Sequence, residues 1–167
     1  MAEDRILVAT DGSVQAHAAV AMAVRVARSI GASLTVLHVV APLASGAPGG
    51  PPGIARVFPV GTMIPGMQKP TEILRRPGDG IDRDTLIAGE QIVEEAASEA
   101  RRSGVQNVGA RVEAGNCAET IVETAREIDA SMIVVGSRGL GGLAGLFLGS
   151  VSEKVANHAH CSVLIAR

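Results

Sequence analysis

Tryptophan and tyrosine are absent from this chain of 167 residues, and Phe58 and Phe147 are its only aromatic side chains. That removes the stacking platforms on which single-stranded nucleic acid binds and the aromatic cages that hold cations. An excess of basic charge is lacking too. With 15 Lys and Arg against 17 Asp and Glu, the formal net charge is -2, which leaves no electrostatic footprint for a polyanionic duplex, so nucleic acid is not expected as a partner. The two cysteines, Cys117 and Cys161, are too few for a disulfide scaffold and belong to no CxxC or His/Cys ligand cluster; they read as free thiols in a reducing compartment. The opening MAEDR is acidic where a secretory leader needs a basic stretch followed by a longer apolar one, so a cytoplasmic location is expected. No uncharged apolar run is long enough to span a bilayer. The nearest, Leu140 to Val151, is hemmed by Arg138 and Glu153, so its Gly141-x-x-x-Gly145-x-x-x-Gly149 spacing is not read as a membrane dimerisation face.

Proline is missing from most of the chain and crowded into one part of it. All eight prolines fall between Pro42 and Pro77, and eight of the twenty glycines lie between Gly46 and Gly80. The flanks amount to about 120 residues, enough for one core but not for two. Two strands are expected before the proline cluster and three after it, so neither flank completes a sheet alone. The expectation is one domain over residues 1–167, with a Pro/Gly-rich insertion at about 41–84 between the second strand and the second helix. Within it, the apolar segment from Ile54 to Met67 has enough hydrophobic character to dock on something. It reads either as a surface excursion, or as a lid or partner-binding arm.

The framework alternates. Arg5 to Thr10 (RILVAT) is a short apolar run that ends at Asp11-Gly12-Ser13, a strand leading through a tight turn into a helix capped by Ser13 or Asp11. That helix runs to Ile30, with a polar stripe His17, Arg25, Arg28, an apolar row Met22, Val26, Ile30, and Gly31 as the stop. Ala32 to Val40 is rich in β-branched residues and leucine, as strands buried on both faces are. After the insertion come an amphipathic helix from Thr85 to Ser103, a weak strand from Val105 to Glu113, and a helix opened by the capping box Asn116-Cys-Ala-Glu119. Ser131 to Val135, a short helix from Val151 to about His158 and a last strand Ser162 to Ala166 complete the chain. Five strands and four helices in strict alternation describe an α/β fold with a parallel sheet, because each return to a parallel strand needs a helical crossover. In such sheets ligands sit beyond the carboxyl ends of the strands, where strand order reverses. That directs attention to Ala9, Thr10 and Asp11, to Val39 and Val40, and to Val135, Gly136 and the loop that follows.

The segment from Gly136 to Val151 contains no G-x-x-x-x-G-K-[ST], so the phosphate-clamping lysine of a P-loop is missing. Gly139-Leu-Gly141-Gly-Leu-Ala144 matches G-x-G-x-x-A only formally, since the helix begins too late and no acidic residue follows at the required distance. The spacing present is G-x2-G-x9-G-[ST], as Gly136, Gly139 and Gly149-Ser150, directly after a strong strand. Here the chain resembles the ATP-binding branch of the universal stress protein family. The resemblance extends over RILVATDGS, LHVV, VEAGNCAETIVETARE and IVVGSRGLGGLAGLFLGSVSEKVANHAHCSVLIAR. Two departures are Ser162, where members often carry proline, and the long interruption at 41–84.

The resemblance implies a Rossmann-like, adenine nucleotide alpha hydrolase-like sheet of five parallel strands in the order 3-2-1-4-5, with helices on both faces. It also implies ATP as ligand, with Mg²⁺ or Mn²⁺ bridging the phosphates, Asp11 on the ribose hydroxyls and a backbone edge at Val39 or Val40 reading adenine. The residues carry part of this by themselves. Gly136 and Gly139 let backbone approach a ligand closely, and Gly149-Ser150, with Val151 behind, presents N–H groups and a helix dipole to phosphate. Ser150 and Ser152 can add hydroxyl donors, and Arg138 either reaches phosphate or is solvated. Ser150-Val-Ser-Glu153 also fits a capping box, so Ser150 either caps its own helix or contacts ligand. Asp11 could likewise serve only as a cap. His38 reads as a packed or locally hydrogen-bonded strand residue, His158 and His160 as cations favoured at a helix C-terminus.

The resulting expectation is an ATP-binding stress-response or signalling module acting as a nucleotide-dependent switch. It is expected to dimerise by covering its apolar edge strand 162–166 with a second copy, as the resemblance also implies. The alternatives are a slow ATPase or phosphotransferase, for which no side chain in the loop is an obvious water activator, and a nucleotide-free dimeric scaffold.

Overall fold

The computed structural model describes residues 4–40, 72–73, 83–137 and 148–167. Along these the chain runs β1 (Arg5–Ala9), α1 (Val14–Ile30), β2 (Ser33–Val40), β3 (Glu72–Ile73), α2 (Arg83–Arg102), β4 (Val108–Ala114), α3 (Cys117–Glu127), β5 (Met132–Gly136), α4 (Ser150–His158) and β6 (Ser162–Ala166). Every pairing is parallel, and the sheet order is β3-β4-β2-β1-β5-β6. The five strands expected from sequence therefore stand in the order 3-2-1-4-5. Glu72–Ile73, which lies between Pro70 and Pro77 in the proline-rich stretch, adds a short sixth strand outside β4.

The sheet separates two apolar cores. Ile6, Val8, Leu34, Val36 and Val40 point to one face and pack with α1 and α2. Leu7, Leu37, Ile133 and Val135 point to the other, against α3 and α4. Alternate residues of one strand thus fill opposite cores, which is why β1, β2 and β5 read as nearly continuous hydrophobic runs. Each such side chain, fully buried, contributes about 1.5–3 kcal/mol.

In α1 the residues against the sheet are Ala16, Ala19, Val20, Ala23, Val24 and Ala27. The row Met22, Val26, Ile30 is not the core face: Met22 and Val26 lie on its margin and Ile30 is 52% exposed. Small side chains let the helix sit close to the sheet, and the bulkier ones are left on the flank. Ser13 is the N-cap, accepting from the Ala16 N–H at 3.1 Å, while Asp11 accepts from the Ser13 N–H at 3.0 Å. Asn116 caps α3 by accepting from the Glu119 N–H. The expected capping box at Ser150 does not form. Gly149 is the N-cap of α4, Ser150 is already helical, and no side chain among the described residues caps this helix.

Candidate functional site

Strand order reverses at β1, whose neighbours are β2 and β5, and the carboxyl ends of these strands and of β4 lie along one edge of the sheet. β1 stops at Ala9 and turns away through Thr10-Asp11-Gly12. The turn is tightly bonded. Thr10 N–H donates to the Leu37 carbonyl at 2.9 Å, the buried Thr10 hydroxyl oxygen accepts from Gly12 N–H at 3.2 Å, and Gly12 takes a φ of 74°, a left-handed conformation that suits glycine. Asp11, half-buried, stands at the apex.

On β2, main-chain groups alternate sides. The Leu37 carbonyl serves the Thr10 N–H on the β1 side, and the Val40 carbonyl accepts from Gly115 N–H on the β4 side at 3.0 Å. Val39 therefore turns its main chain towards β1, one step past the point where β1 has left the sheet. Of the two expected backbone edges, Val39 is the one facing this gap. Val40 is buried with its carbonyl already paired.

The two ends of the glycine-rich segment meet at the tip of β5. Gly149 N–H donates to the Ser137 carbonyl at 2.8 Å, and the Ser152 hydroxyl donates to the Gly136 carbonyl at 2.6 Å. Gly136, Gly149, Ser150, Val151 and Ser152 are thus brought together, with Val135 buried beneath them. Two details differ from expectation. The Gly149 N–H is already used, so the groups left without an intrahelical acceptor are the N–H groups of Ser150, Val151 and Ser152. The buried Ser152 hydroxyl has committed its proton to Gly136, so it ties helix to strand instead of offering a donor. Arg138 and Gly139 lie outside the described residues, as does the segment 54–67.

An open cleft of about 420 Å³ is lined by Gly115, Asn116, Cys117 and Ala118 on one side and by Ser150, Val151 and Lys154 on the other. The N-termini of α3 and α4 therefore face a common space. Thr124 fixes α3 to β4 by donating to Glu113 at 3.0 Å, and Glu113 is in turn beside the Arg111 guanidinium, which also holds Glu127 at 2.9 Å. Burial pushes the Cys117 thiol pKa up, and the nearby Asp11 carboxylate adds to the rise. Gly115, Asn116, Cys117 and Lys154 were not among the residues expected from sequence. Gly115 and Asn116 directly follow the carboxyl end of β4, a strand whose weak alternation gives little signal in the sequence.

Among the described residues no group of three His, Cys, Asp or Glu side chains could hold a metal ion, and no helix is long and apolar enough to cross a membrane.

Residues 3–58 and 71–167 match the universal stress protein family. The universal stress protein YxiE of Bacillus subtilis is 34% identical over 164 residues, covering 98% of this chain and 99% of its own length. A universal stress protein solved in complex with cAMP superposes with a TM-score of 0.65 at 24% identity, over 100% of this chain and 98% of the other. The universal stress protein from Archaeoglobus fulgidus in complex with dAMP gives a TM-score of 0.67 at 21% identity, with 100% of both chains covered.

Proposed function

The chain belongs to the universal stress protein family, and from that premise we propose that it is an adenine-nucleotide-binding signalling module, with ATP as its ligand and occupancy of the site as the signal. The observation that carries this reading is the junction at Gly136, Ser137, Gly149 and Ser152. It holds the uncapped first turn of α4 beside the end of β5, at the switch point of a parallel sheet. Three N–H groups and the positive end of a helix dipole suit phosphate, and Lys154 stands one turn further along the same cleft. Asp11 would accept from ribose hydroxyls and the Val39 main chain would read adenine. The nucleotides in the two superposed stress proteins, cAMP and dAMP, are of the same adenine class.

A Mg²⁺ or Mn²⁺ ion at such a site would take its ligands chiefly from phosphates and water, since the described side chains form no cluster for it. The described residues that line the cleft include no histidine or carboxylate to activate water, and Asp11 is assigned in this reading to the ribose. Slow or no hydrolysis is the corresponding reading. The single-domain organisation over 1–167 and a cytoplasmic location belong to the same proposal. So does dimerisation through β6, the strand at the edge of the described sheet opposite β3.

The test is to denature the purified protein, identify any released nucleotide, and then follow added ATP over hours with Mg²⁺ or Mn²⁺. Bound, unconsumed ATP supports the switch. Steady turnover replaces it with an ATPase or phosphotransferase, and absence of any adenine nucleotide binding leaves a scaffold. Sedimentation velocity showing only monomer at micromolar concentration would remove the dimer.

A further inference from the structure

His38 lies on β2 on the opposite face from the cleft, in the row of Leu34, Val36 and Val40 that packs with α1 and α2. Its Nδ1 is 2.8 Å from the Thr10 carbonyl oxygen. A carbonyl can only accept, so Nδ1 carries the proton and donates. β1 has ended at Ala9, and the Thr10 carbonyl is therefore beyond the last β1 pairing and takes its hydrogen bond from this ring.

The ring has a made-to-measure seat. Gly89 lies in the middle of α2, where glycine costs the helix about 1 kcal/mol relative to alanine. A Cβ there would come within 2.9 Å of the His38 Cδ2 and 3.1 Å of the Val112 Cγ1. Three residues on, Ile92 of the same helix meets the turn directly, since a Cβ on Gly12 would be 3.3 Å from its side chain. α2 thus presses on the Thr10-Asp11-Gly12 turn at two points, once through His38 and once through Ile92.

We propose that His38, seated against Gly89, is the positioning residue of the Asp11 turn, and that its hydrogen bond to the Thr10 carbonyl sets the affinity of the nucleotide site from the far face of the sheet. The inference rests on the nucleotide-binding reading above. His38 touches no ligand; it acts through the turn that carries Asp11.

The experiment uses four variants of the full chain: His38→Ala, His38→Asn, Gly89→Ala and the His38→Ala/Gly89→Ala double. Asparagine places an amide N–H near the position of Nδ1. Affinity for Mg·ATP is read by calorimetry, and exchange of the Gly12 and Ser13 amides is read by NMR in nucleotide-free protein. Loss of the bond should weaken ATP about tenfold in His38→Ala, with His38→Asn recovering most of it. Gly89→Ala should weaken binding alone and clearly less when His38 is already alanine, because the ring it would displace is gone and only the approach to Val112 Cγ1 remains. Gly12 and Ser13 should exchange faster in His38→Ala and return towards wild type in His38→Asn. Equal losses in His38→Ala and His38→Asn, a Gly89→Ala effect as large without the ring as with it, or unchanged amide exchange would overturn the proposal. If wild-type protein binds no ATP, the nucleotide reading fails by itself, and the amide exchange still decides whether His38 orders the turn.

Discussion

The Ser152 hydroxyl donates to the Gly136 carbonyl over 2.6 Å, so a side chain in the first turn of α4 is clamped to the last residue of β5. The partners are 16 positions apart in sequence, and between them lies the whole glycine-rich segment. With the Gly149 N–H on the Ser137 carbonyl, this bond sets where the first turn of α4 stands relative to the strand end. Ser152→Ala should leave the Gly136 carbonyl without its donor and cost about 1–3 kcal/mol. Urea unfolding is the measurement, and a midpoint equal to wild type would show that the carbonyl finds another partner.

Asp11 has two tasks that substitution can separate. It accepts from Ser13 N–H at 3.0 Å, and it is proposed to accept from ribose hydroxyls. Asn keeps an acceptor oxygen for the first task but loses the charge that strengthens the second. Asp11→Asn should therefore unfold close to wild type yet bind ATP about tenfold more weakly, and Asp11→Ala should lose both stability and binding. Equal affinity in all three proteins would take ribose recognition away from Asp11.

Thiol chemistry reports on the same cleft. Burial raises the pKa of Cys117 and of Cys161, and Asp11 raises that of Cys117 further. A raised thiol pKa means less thiolate at neutral pH, so both cysteines should alkylate more slowly than a free cysteine at pH 7. Removing the Asp11 charge in Asp11→Asn should speed Cys117 alone. Bound ATP should protect Cys117, which lines the cleft, and leave Cys161 unchanged. Mass spectrometry of alkylated peptides resolves the two sites, and equal protection of both would argue for a general tightening of the protein.

Much of the architecture follows from local pattern, and the departures have identifiable causes. RILVA and MIVVG became strands because both faces of each are covered, which makes an unbroken apolar run. The inner face of α1 was hidden by its chemistry: its alanines carry little hydrophobic signal, and close packing on the sheet is a tertiary property. Ser150-x-x-Glu153 fits a cap by pattern, but the Ser137 carbonyl fixes Gly149 in an extended conformation and makes it the cap. Glu72–Ile73 is too short for any periodicity and exists through pairing with β4. Gly136 and Gly149 could be linked by motif spacing, whereas the facing wall at Gly115, Asn116 and Cys117 emerges only when α3 and α4 are set side by side.

Gly149→Asp pulls stability and function in opposite directions. Gly149 has φ -64° and ψ 151°, a conformation open to any L residue, so the substitution introduces no backbone strain. Aspartate is among the preferred N-cap residues, and its carboxylate can accept from the N–H groups of Val151 or Ser152, which lack intrahelical acceptors. It also places a negative charge at the positive end of the helix dipole, a gain of about 0.3–1 kcal/mol. The melting temperature should hold or rise. For ATP the same carboxylate occupies the place proposed for phosphate and repels it, so affinity should fall by about a hundredfold or more. Thermal unfolding and calorimetry on one preparation test both halves. A more stable protein that no longer binds ATP is the expected result. A Gly149→Asp protein that binds ATP like wild type would move the phosphates away from α4.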